Sequence, residues 1–213
     1  LANSILQYKL SVIKFTLTIE RGELVFMNKR KVILVTDGDM VAKSAVEIAA
    51  ANIGGRCISA SAGNPTILTG NEIVELIKKA DHDPVVVMVD DRGYEGIGDG
   101  EKAMEVILHD KSLDILGVVA VSSNGKDCNG IRTSCSITKE GQVIEGGVDK
   151  DGNDIHSEEI CGDTLSILKN ANNLVIVGIG DPGKMDFKDE VSKGSPITTK
   201  ALKEIIHRSG IKH

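Results

Sequence analysis

The sequence predicts an α/β fold: a three-layer sandwich around a mainly parallel sheet, with a β-hairpin insertion. Three observations predict it. Val32-Ile33-Leu34-Val35 is an apolar run without alternation, which suits a strand covered by helices on both faces. Similar runs recur over 85–89, 115–121 and 174–178, with segments of helical spacing between several of them. The first run passes straight into Thr36-Asp37-Gly38-Asp39 and the second into Asp90-Asp91, and open sheets of this kind gather ligands at the carboxyl ends of their strands.

The elements follow in order. A strand over 31–36 leads to an Ala-rich helix near 40–53, which Gly54-Gly55 ends by supplying left-handed geometry. A second strand, 56–61, runs into the turn Ala62-Gly63-Asn64-Pro65. The helix near 71–80 turns Ile73, Val74, Leu76 and Ile77 inward and Glu72, Glu75, Lys78 and Lys79 outward. Pro84 opens the third strand, 85–89. A glycine-rich loop, a helix near 100–109 and a fourth strand, 115–121, come next. Lys139-Glu140-Gly141 between two short β segments then predicts a hairpin, with glycine at the position of unusual φ. A helix near 158–170, a last buried strand over 174–178 and an amphipathic helix near 197–208 complete the series. The outline is Rossmann-like or Toprim-like, one domain spanning 27–213.

Residues 1–26 stand apart. They hold Tyr8, Phe15 and Phe26, three of the five aromatics. Met27 followed by Asn28-Lys29-Arg30 reads as a start leading into the first strand. Residues 1–26 are accordingly expected to be an upstream extension outside the fold. The rival expectation is an edge strand, since Ile13, Phe15, Leu17 and Ile19 alternate with Lys14, Thr16 and Thr18.

Composition excludes some functions. The net charge of −6 is dispersed, which argues against nucleic acid, whose phosphates need a basic face. No apolar stretch reaches the roughly 18 residues of a membrane span. Cys57, Cys128, Cys135 and Cys161 show no metal-ligand spacing, so free thiols in a reducing compartment are expected.

The candidate site is an acidic rim at the strand ends: Asp37, Asp39, Asp90, Asp91 and Asp181. Clustered carboxylates repel one another unless a cation or a basic side chain lies between them. Hard oxygen ligands suit Ca²⁺ or Mg²⁺, with Asp37, Asp90 and Asp91 as the first candidates. Against this stands the frequency of Asp and Gly in ordinary turns and N-caps. Gly93, Gly96, Gly98 and Gly100 suggest a mobile flap over the rim. In the Toprim arrangement an acid follows the first strand and a DxD a later one. Here Asp37 replaces the glutamate and Asp90-Asp91-Arg92 breaks the spacing. Response-regulator receivers use an acid pair, an acceptor Asp, a Ser/Thr and a Lys, an order mimicked by Asp37/Asp39, Asp90, Ser122 and Lys184. Both are analogies of fold only. Asp149-Lys150-Asp151-Gly152-Asn153 copies the opening of a calcium loop but lacks its glycine and its closing glutamate, which leaves a polar turn. Gly178-Ile179-Gly180…Gly183 fits G-x-G-x-x-G only at the far end of the domain. No nucleophile elbow is present.

Four segments in combination, KVILVTDGD (31–39), GGRCISASAGNPT (54–66), HDPVVVMVDDRG (82–93) and VGIGDPGKMD (177–186), resemble the soluble form of stage V sporulation protein AE from endospore-forming bacteria. The resemblance runs from about Met27 to the C-terminus. It implies membership of the SpoVA group, whose membrane members move calcium dipicolinate. It implies a soluble, non-enzymatic accessory, docked on SpoVA membrane proteins at the spore inner membrane, and it carries over no catalytic residues. A Ca²⁺- or Mg²⁺-binding sensor and a Toprim-type Mg²⁺-dependent phosphoryl-transfer enzyme are the alternatives.

Overall fold

In a computed structural model of the chain, the described residues are 16–20, 23–27, 29–93, 97–123, 130–171 and 173–210. The strands β1 (Thr16–Glu20) and β2 (Glu23–Met27) pair antiparallel as a two-stranded sheet of their own. The main sheet begins with β3 (Arg30–Val35), followed by α1 (Met40–Asn52), β4 (Arg56–Cys57), α2 (Gly70–Lys78), β5 (Val85–Met88), α3 (Asp99–His109) and β6 (Leu113–Val121). The short strands β7 (Ile131–Arg132), β8 (Cys135–Ile137), β9 (Val143–Ile144) and β10 (Glu159–Ile160) come next, then β11 (Ile176–Ile179) and α4 (Pro196–Arg208).

Seven strands order as β4-β5-β3-β6-β11-β8-β9. All neighbours are parallel except β8 and β9, which form the expected hairpin with Gly141 at φ 75° in its turn. β7 and β10 make a separate antiparallel pair. Side chains of β3 alternate between two cores. Val32 and Leu34 join Ile73 of α2 and Met104 of α3, while Ile33 and Val35 join Val46 of α1 and Ile205 of α4. The molecule is therefore an α/β sandwich, with α1 and α4 on one face and α2 and α3 on the other. From β3 the chain moves outward across the α1 face. The connections β4–α2–β5 and β5–α3–β6 move the opposite way across the opposite face. Reversing both direction and face preserves the hand, as the right-handed rule for crossovers requires.

Two elements differ from the sequence expectation. The second strand shrinks to β4, because Ser59–Ser61 turns into a 3-10 helix. The helix near 158–170 is replaced by β10 and a 3-10 turn over Ser166–Asn170. Ile160, Leu165 and Leu168 are all buried in the α2/α3 core, so their helix-like spacing reports burial rather than continuous helix. The Gly162-Asp163 step between them breaks the run. Cys161 is disulfide-bonded, which corrects the expectation of four free thiols; Cys57 and Cys135 are free. Spacing could not reveal the bond, since disulfide partners meet through the fold.

Candidate functional site: the carboxyl edge of the sheet

β3 leaves the sheet toward α1 on one face while its neighbour β5 leaves toward α3 on the other, the position where doubly wound sheets open a crevice. Thr36 closes that gap: its N–H donates to Val119 O at 3.1 Å and its Oγ1 accepts from Val121 N at 3.0 Å. Asp37 follows, buried. Asp39 then caps α1, accepting from the N–H groups of Val41 and Ala42 at 2.8 Å each. Gly38 between them is set by a close approach. A Cβ there would lie 2.5 Å from Gly63 O and 3.2 Å from the Asp90 Cβ.

Asp90 fastens three segments. Its Oδ2 accepts from Gly38 N at 3.1 Å and its Oδ1 from Arg92 N at 2.8 Å, while its own N–H donates to Thr66 Oγ1 at 2.8 Å. Asp181, after β11, accepts from Gly183 N at 2.8 Å and pairs through its other oxygen with Lys184. Of the acidic rim, the structure gathers Asp37, Asp39, Asp90 and Asp181 into one electrostatically coupled group. Burial, and then the neighbouring Asp39, push the Asp37 carboxyl up to about 8, with Asp90 and Asp181 adding to the rise. Burial also raises Asp90, against the hydrogen bonds from Arg92 and Gly38. The bond to Asp181 holds the Lys184 ammonium above its usual range, with the charges of Asp37 and Asp39 contributing. Although distant from β3 in sequence, Lys184 is thus folded back among these acids as a basic counter-charge.

Asp91 is turned elsewhere. Its carboxylate accepts from Gly100 N at 2.6 Å and Glu101 N at 3.1 Å, the free N–H groups at the start of α3. Burial raises it to about 6. The glycines Gly98 and Gly100 sit tight against this bend, where a Cβ on Gly100 would come within 2.6 Å of Asp90 O. Gly93 has φ 68° and its N–H donates to Asp163 Oδ2 at 2.5 Å. Gly96 lies outside the described residues. Sequence reading placed Thr36 at the strand end but missed the anchoring roles of Thr66, Asp163 and Glu101. Glu101 is fully buried and accepts from Ser166 N at 2.5 Å and Ile167 N at 3.3 Å. No local pattern marks a pairing 65 residues apart.

The segment 149–153 is the polar turn its sequence suggests, with Asp149 Oδ1 accepting from Asp151 N and Asn153 N at 2.9 and 2.8 Å. Ser122 and Ser123 line a 180 Å³ cavity with Asp149, Lys150 and Cys161. Among the described residues, no three Asp, Glu, His or Cys side chains stand together so as to hold a metal ion. None of the described helices is long and apolar enough to cross a membrane.

These features define an α/β domain whose carboxyl edge carries a coupled acid–lysine group. The family described as Stage V sporulation protein AE1 matches residues 31–209, most of the chain, and the chain belongs to that family. It is therefore a sporulation-related protein. No curated protein and no solved structure matches it.

Proposed function

We propose that the protein is a non-enzymatic accessory of the SpoVA calcium-dipicolinate transport complex, held at the spore inner membrane by contacts with the SpoVA membrane proteins. The family match over residues 31–209 carries this reading. The site chemistry agrees with it. The acids of the edge are satisfied by backbone N–H groups and by Lys184 rather than left open as a cation cage.

The test is made in a spore former whose native copy carries an affinity tag. Retention of the tagged protein with SpoVA membrane proteins, together with a dipicolinate defect on deletion, is the expected result. A normal dipicolinate content in the deletion strain, with no co-purification, refutes the reading. A Ca²⁺ or Mg²⁺ sensor predicts something different. At a hundredfold excess over its dissociation constant, a specific ion raises stability by about 2.7 kcal/mol, and Asp90→Asn abolishes that rise.

A further inference from the structure

We propose that the carboxyl edge of the sheet is the docking face, and that its occupant is a basic amphipathic segment of a partner protein. This rests on the docked-accessory reading and gives it a place on the molecule. The first support is apolar exposure. Met40 and Val41, at the start of α1, are 71 % and 54 % exposed, Ile67 before α2 is 83 % exposed, and Phe187 is 69 % exposed. These residues border one continuous surface. A Cβ on Gly63 would meet Ile67 Cγ1 at 3.2 Å, Gly63 packs on Gly38, and a Cβ on Gly183 would meet Val41 Cγ1 at 3.4 Å. Phe187 extends the Asp181–Lys184 loop, which Lys139 anchors through Asp186 at 2.6 Å. Asp186 and Phe187 both sit at positive φ, 47° and 58°, a backbone state that residues with side chains disfavour.

The second support is charge. Asp37, Asp39, Asp90 and Asp181 couple at the centre of this apolar border, with Lys184 among them. An apolar margin around an acidic centre complements Lys and Arg on an amphipathic segment. The same charge argues against the anionic headgroups of a membrane surface, which attract polybasic segments and repel acidic ones. It argues equally against a second copy of this edge. Because Asp37 holds its proton near neutrality, its ionisation adds a buried negative charge beside Asp39, Asp90, Asp181 and Lys184, and a cation bound over this edge gains from it through space. Affinity therefore rises as pH climbs toward 8 and falls with added salt.

The test uses the full chain and three probes: a lysine–leucine amphipathic peptide, its glutamate–leucine counterpart and phosphatidylglycerol vesicles. Hydrogen exchange locates the contact, and sedimentation reports self-association. The lysine peptide is expected to protect 37–41, 63–67 and 181–187. The combined variant Met40→Ser, Ile67→Ser, Phe187→Ser should weaken binding at least about tenfold. Val143→Ser, an exposed apolar residue on edge strand β9, serves as the control and should leave binding unchanged. Protection elsewhere, equal binding of the glutamate peptide, insensitivity to the triple variant, vesicle binding through the same residues, or a dimer formed through them each overturns the proposal. If the triple variant still co-purifies with SpoVA membrane proteins, this face is wrong and the docking reading stands. If the wild type does not co-purify, the docking reading itself fails.

Discussion

Asp37 shows how far a fold can bend a single side chain. Its carboxyl is raised from 3.8 to about 8, so between those values the folded chain holds a proton that the unfolded chain has released. Stability at this position is therefore full below about pH 4 and is lost as pH rises through 8. The shift corresponds to on the order of 6 kcal/mol at most. Asp37→Asn keeps the acceptor for Asp39 N, 3.2 Å away, and removes the titration. It should unfold at higher temperature than wild type at pH 8 and no differently near pH 4. A melting series across pH checks this, and an Asn variant less stable at pH 8 would contradict the assigned burial. Gly38 is the second sensitive residue. With Gly63 O only 2.5 Å from a would-be Cβ, Gly38→Ala should cost about 1–3 kcal/mol in urea unfolding.

At the scale of elements, α3 starts without a side-chain cap of its own, since Gly98 occupies the N-cap. Asp91 serves in its place from across the loop. Asp91→Ala should therefore cost about 1–2 kcal/mol and speed amide exchange in the first turn of α3 while leaving α2 unchanged. This role marks the limit of what the sequence made legible. The strands β3, β5, β6 and β11 could be read because burial on both faces leaves an uninterrupted apolar run. The Gly141 turn and the glycine end of α1 were legible from local backbone demands, with Gly54 at φ 71°. The stretch 158–170 misled because Ile160, Leu165 and Leu168 show the spacing of a helix face while packing from a strand and a 3-10 turn. The rim was legible as a place, since strand ends set it. The partner of each acid was not. Asp91 and Asp181 look alike in sequence, yet one caps a helix and the other holds a lysine.

For the whole molecule, β1 and β2 pair with each other and contribute no strand to the seven-stranded sheet, and the family match begins at residue 31. We propose that 27–213 is the folding unit, so removing residues 1–26 should leave the unfolding midpoint unchanged in calorimetry. A large fall would assign the hairpin a place in the core. The sheet itself ends in β4 on one side and β9 on the other, each two residues long. Unpaired backbone at a sheet margin is what strand-adding ligands and growing fibrils use as a template. Margins this short offer no run of donors and acceptors long enough to zip another chain alongside. Docking on the main sheet is thereby left to side chains rather than to added strands, and that sheet is guarded against templated aggregation.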